Sequence, residues 1–234
     1  MTPPLDQILD ALESFYGRQA VLAPTDPYLF LLWWQCGYPP SEEHCARGFA
    51  ALAAAIGTAP VTLRATSRAR LTRVLKAGGL VPELRAQRLR EVAATVEDEF
   101  DGDLPAALRQ LPPAKALRLL KTFPGIGSPG ADRILLFGGI GARAAVPSSC
   151  PYVLVRIESG REPEYRATYQ RAQARLESLP ETFAARMRAY LLLQRHGREL
   201  CKRTRPRCSE CPLAQSCRFN RAGDRPRTSP RSHR

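Results

Sequence analysis

Apolar and polar positions alternate along most of this chain with the period of a helix. Leu5, Ile8, Leu9 and Leu12 fall on one face, with Asp6, Asp10 and Glu13 between them, so a helix is predicted over Leu5–Tyr16. The range 46–56 repeats the pattern. "SRARLTRVLKAGG" ends in Gly78 and Gly79, a strong helix stop. "PELRAQRLREVAATVEDEF" predicts a helix over Pro82–Phe100 that stops before Asp101 and Gly102. Three more amphipathic helices are predicted in "PPAKALRLLKTF", "PEYRATYQRAQARLES" and "PETFAARMRAYLLLQRHG". Strand-like alternation is almost missing, and the loops between periodic segments are short. An all-α protein is therefore expected. The stretch 221–234, rich in Arg, Ser and Pro, is expected to be disordered.

Charge narrows the partner. The 234 residues include 35 basic and 22 acidic side chains, a formal net charge of +13. Such an excess points to a polyanion, either nucleic acid or an anionic membrane surface. Only Lys76, Lys115, Lys121 and Lys202 are lysines, so a soluble protein from an arginine-rich proteome is the alternative, with nucleic acid the reading favoured. The longest apolar run, "YLFLLWW" at 28–34, is far too short to span a bilayer. "MTPPLDQILDALESF" has no basic leader, so no secretory signal is read there. A cytoplasmic, nucleoid-associated monomer with reduced thiols is expected, its cysteines serving as ligands or buried thiols.

"CKRTRPRCSECPLAQSC" places Cys201, Cys208, Cys211 and Cys217 within 17 residues as C-x6-C-x2-C-x5-C. Short loops let four thiolates converge on one metal centre, and such a set suits either zinc or an iron–sulfur cluster. Cys36, Cys45 and Cys150 are scattered and read as buried thiols. This array, preceded by "RHGREL", closely resembles the C-terminal [4Fe–4S] loop of the endonuclease III family of DNA glycosylases. The resemblance implies a [4Fe–4S] cluster on these four cysteines, structural and electronic in role. It also implies that Lys202, Arg203, Arg205 and Arg207 lie against DNA phosphates, and His196 is read as structural beside the cluster.

"KTFPGIGSPGADRILLF" is the second motif. Gly125 and Gly127 permit a tight turn with uncovered N–H groups. Ser128 is read as the N-cap and Pro129 as the first residue of the next helix. Amides at a helix N-terminus bind phosphate without base contacts; an ordinary packing corner is the alternative. "FPGIG" between two helices resembles the family's helix-hairpin-helix at 115–137, with Gly125, Ile126, Gly127 and Ser128 against DNA. "YLFLLWWQCGYP" is similar to the family's early helix ending in glutamine, which makes Gln35 the residue that fills the gap left by an extruded base. A satisfied buried amide is the other reading of Gln35. "AQRLREVAATVEDEFDGDLPAAL" resembles the stretch leading to the hairpin.

The resemblance implies two α-helical domains with a DNA-binding cleft between them. A helical barrel with the hairpin is expected at 22–140, and a cluster domain at 1–21 plus 141–220. Two departures stand out. The family's Schiff-base lysine, two residues after the hairpin's last glycine, is Pro129 here, and no lysine lies between Lys121 and Lys202. The segment that should carry the family's aspartate, 145–157, has no acid, and no carboxylate lies between Asp132 and Glu158. Asp132 is the one candidate catalytic acid, its alternative being a favourable charge near a helix start; Ser148 and Ser149 are candidates to orient a water. The partner is then damaged duplex DNA. Two functions stay open: a base-excision glycosylase without Schiff-base lyase activity, or a non-catalytic lesion-sensing protein on the same scaffold. A zinc-binding transcription factor explains fewer of the motifs.

Overall fold

The structure is a computed structural model that describes residues 3–39 and 41–222. Among these the chain forms thirteen α-helices and two 3-10 turns, with no strand beyond one isolated bridge between Tyr38 and Gly79. The fold is all-α. None of these helices is long and apolar enough to cross a membrane. The chain divides into two compact units, Val21–Gly141 and Met1–Ala20 with the chain from Ala142 onward.

The Val21–Gly141 unit contains α2 (Pro27–Gln35), α3 (Glu42–Ala55), α4 (Pro60–Ala65), α5 (Arg68–Leu75), α6 (Pro82–Phe100), α7 (Leu104–Gln110), α8 (Pro113–Leu120) and α9 (Ser128–Phe137). Local chemistry sets most starts. Asp26, Ser41, Ser67 and Asp103 each accept a backbone N–H from the first turn of α2, α3, α5 and α7. α6 packs on α2, α4 and α5, and α9 packs on α8 and α2. Leu31, Leu32, Leu71, Leu89, Val92 and Leu135 are fully buried where these helices meet.

One cation holds this unit's irregular corner. Arg85 is 3% exposed, and its guanidinium donates to four backbone carbonyls: Leu80 at 2.9 Å, Cys36 at 2.7 Å, and Leu75 and Gly79 at 2.8 Å each. The corner leaves no room for a side chain at Gly78, whose added Cβ would sit 1.8 Å from the Cys36 carbonyl. Arg85→Met is expected to orphan all four acceptors and destabilise the unit by about 3 kcal/mol or more, read as a lower urea midpoint. Arg85→Lys recovers little, because an ammonium lacks the planar five-donor fork.

The other unit contains α1 (Leu5–Tyr16), α10 (Tyr152–Ser159), α11 (Tyr165–Leu176), α12 (Phe183–Glu199) and α13 (Arg218–Arg221). α1 packs on α12, where Arg188 donates to Asp10 at 2.7 Å and Glu13 at 2.9 Å. α10 is buried over Tyr152 to Ile157 against α11, α12 and α13. Its apolar, β-branched run carries no helical period, so sequence pattern did not mark it as a helix. The stretch expected to be disordered starts differently: Arg221 closes α13, and 223–234 lie outside the described residues.

Candidate nucleic-acid interface and metal centre

The hairpin joins α8 to α9. Phe123 and Ile126 are buried beneath it, while Gly125 and Gly127 are exposed. Gly125 has φ +74°, a left-handed value that a side chain would strain. Ile126 N–H donates to the Phe123 carbonyl at 3.2 Å and closes the turn. The N-cap of α9 is Gly127 rather than Ser128, so Ser128 and Pro129 are the first two helical residues. The reason is backbone geometry: Gly127 is extended and its carbonyl takes the Ala131 N–H at 3.0 Å, opening the ladder one residue early. Among the described residues the N–H groups of Gly127, Ser128 and Gly130 find no backbone acceptor. These donors stand at the positive end of a ten-residue helix, an arrangement that favours negative charge.

Gln35 lies beneath this turn. It is 3% exposed and its Nε2 donates to the Pro124 carbonyl at 2.6 Å, so here the side chain is a satisfied buried amide. Trp34 donates Nε1–H to the next carbonyl, Gly125, at 3.2 Å. Asp132 is buried at 1% exposure and has an interaction of its own within the protein. Ser148 and Ser149 are exposed in the other unit, and the Ser148 carbonyl accepts the Tyr165 hydroxyl at 3.2 Å. No lysine stands on α9; Lys121 is the C-cap of α8 and Lys115 lies within it.

Sequence reasoning missed the exposed apolar residues around the start of α6. Leu80, Val81 and Leu84 are 62%, 45% and 42% exposed. Val81 has φ +48°, a strained value for a β-branched residue. The signal was present in "GGLVPEL": apolar residues in a glycine–proline break have no helical face on which to be buried.

The cysteine array follows α12. Cys201, Cys208, Cys211 and Cys217 all line one small cavity, part of it open to solvent, together with Arg156, His196, Leu200 and Phe219. Among the described residues no three His, Cys, Asp or Glu side chains are grouped closely enough to hold a single metal ion. Burial pushes the Cys201 thiol up to about 12 and Cys211 up to about 11, and raises Cys217. Bare thiols here would keep their protons; a multivalent metal centre is what favours thiolates in such a place. Donors already face the sulfurs: Leu213 N–H is 3.4 Å from Cys211 Sγ, and Arg156 Nη1 is 3.9 Å from Cys201 Sγ.

Arg156 also fixes the basic loop. It is 3% exposed, pairs with Glu162, and donates to the Lys202 and Arg203 carbonyls at 3.0 and 2.9 Å. Its guanidinium lies between the Tyr152 and Phe219 rings, 4.4 and 4.6 Å from their centroids. The loop's own cations differ among themselves. Lys202, Arg203, Arg205 and Arg207 are all exposed, but Arg207 is engaged with Glu210. His196, 1% exposed, is lowered to about 4 by burial and is neutral. Tyr16, whose hydroxyl burial keeps protonated, is 3.0 Å from His196 Nδ1. The other ring nitrogen, Nε2, faces Cys211 Sγ at 3.7 Å.

No protein-family model and no curated protein matches the sequence. Solved structures do. An endonuclease III in a non-covalent complex with DNA superposes with a TM-score of 0.73 at 18% identity, over 94% of this chain and 96% of that one. The chain has the endonuclease III fold. A thermostable thymine-DNA glycosylase matches with a TM-score of 0.70 at 16% identity, over 93% of this chain and 96% of that one. The H. pylori 3-methyladenine DNA glycosylase, bound to 1,N6-ethenoadenine, gives 0.59 at 16% identity over 85% and 99%. The turn between α8 and α9 and the four-cysteine cavity belong to different units.

Proposed function

We propose that this chain is a DNA-repair protein that binds damaged duplex DNA, a base-excision glycosylase of endonuclease III type with atypical or weak activity and no Schiff-base lyase step. The observation that carries the reading is the exposed hairpin: amides without a backbone acceptor at the start of α9, next to Pro129 where the resembled family has its lysine. The Lys202, Arg203 and Arg205 side chains add a second phosphate-binding surface, held in shape by Arg156. The strained, exposed Leu80–Val81 turn is suited to wedge between base steps while a damaged nucleotide is extruded.

The [4Fe–4S] reading over zinc is supported by the resemblance of the C-x6-C-x2-C-x5-C array, all four of whose cysteines line one cavity. Cys201, Cys208, Cys211 and Cys217 would hold the cluster, and it would supply a structural and electronic anchor rather than base chemistry. The non-catalytic alternative, a lesion-sensing protein, is favoured by one specific finding: the candidate acid, Asp132, is buried and already engaged.

Duplexes carrying oxidised pyrimidines, uracil mismatches, oxidised purines or abasic sites separate the two readings. Base release from any of them establishes the glycosylase; tight binding without release establishes the sensor. On undamaged duplex, about four phosphate contacts predict roughly a hundredfold weaker binding at 200 mM than at 50 mM salt. Salt-insensitive binding, or preference for single-stranded RNA, would overturn both.

A further inference from the structure

Two consecutive carbonyls of the hairpin are held by two consecutive residues of α2. Gln35 Nε2 takes the Pro124 carbonyl at 2.6 Å and Trp34 Nε1 takes the Gly125 carbonyl at 3.2 Å. In a trans peptide the carbonyl and the following N–H point in opposite directions. Holding the Pro124 carbonyl toward α2 therefore turns Gly125 N–H away from α2. Holding the Gly125 carbonyl does the same for Ile126 N–H, which meets the Phe123 carbonyl at 3.2 Å. The two side chains thus decide which hairpin amide faces outward.

The indole is itself fixed. Trp34 stacks on Phe30 with centroids 6.3 Å apart, and Phe30 stacks on Trp33 at 5.6 Å. The Arg133 guanidinium of α9 lies 4.2 Å from the Phe30 centroid and 4.8 Å from Phe137. α2 therefore grips both the hairpin and the helix the hairpin opens into.

We propose that the end of α2 is a two-point lock on the hairpin, with Gln35 and Trp34 as its two halves. Both are positioning residues: each sets the direction of a hairpin amide through the carbonyl it holds. The inference rests on the duplex-DNA reading above for its purpose, and on protein geometry alone for the lock.

Hydrogen exchange on the free protein tests the lock without DNA. Trp34→Phe keeps the ring and removes the donor; it is expected to speed exchange several-fold in the peptide spanning 122–130 and nowhere else. In the same variant, binding to undamaged duplex weakens about three- to tenfold and the log–log salt slope shrinks by roughly one phosphate contact. Trp34→His, which restores a ring N–H, recovers part of both. Gln35→Ala, which frees the Pro124 carbonyl, is expected to speed exchange over the same peptide. Unchanged exchange in Trp34→Phe or in Gln35→Ala overturns the lock. If the unaltered protein shows no salt-dependent duplex binding, the functional reading falls while the exchange result still decides the lock.

Discussion

Cys208→Ala is expected to yield colourless protein without iron, in which residues 1–20 and 142–222 no longer fold cooperatively. The unaltered protein should be brown, with iron and sulfide in equal amounts. Cys208 is half-buried at the edge of the core, where loss of one sulfur costs little packing compared with loss of a metal centre. A structural metal centre can contribute about 10 kcal/mol of folding free energy, which rivals the roughly 5–15 kcal/mol that typically holds a domain together. The core around it includes Leu213, Cys217 and Phe219, and Tyr16 ties α1 to the cavity through His196. Cys150→Ala is the control. Its thiol is buried but faces the Leu193 carbonyl at 3.6 Å rather than the cavity, so the variant keeps its iron. Metal analysis and a thermal melt check both, and zinc without iron or sulfide would refute the cluster.

Borohydride treatment of the protein with abasic-site DNA is expected to trap no covalent adduct. Schiff-base chemistry needs an amine held against the sugar's anomeric carbon, with its basicity lowered by burial or nearby charge. Pro129, second residue of α9, has none. Lys76 sits in the 3-10 turn before α6, and Lys115 and Lys121 lie on and at the end of α8, ahead of the hairpin. Lys202 follows the first cysteine, in the other unit. Any base excision should therefore leave the strand intact, seen as cleavage only after alkali. An adduct that disappears when one lysine is replaced would show that the amine has moved within the chain.

Helix periodicity, capping residues and glycine stops were enough to mark the all-α class and the bounds of α1 and α6, because those signals act between residues a few positions apart. The same locality explains the misses. α10 carries an apolar run with no period, since it is buried around its whole circumference, and Ser128 had the chemistry of an N-cap while Gly127 had the backbone for it. The cysteine spacing and the glycine hairpin were legible as motifs, again because their meaning is local. What only the tertiary structure decided is which carbonyl each polar side chain takes. That Arg85 gathers four carbonyls, that Gln35 and Trp34 grip Pro124 and Gly125, and that Arg156 holds the Lys202 loop depends on acceptors far away in sequence. A buried donor must find a partner or forfeit its solvation. Which partner it finds is fixed by which backbone groups the packed helices leave unpaired, and no short-range pattern records that.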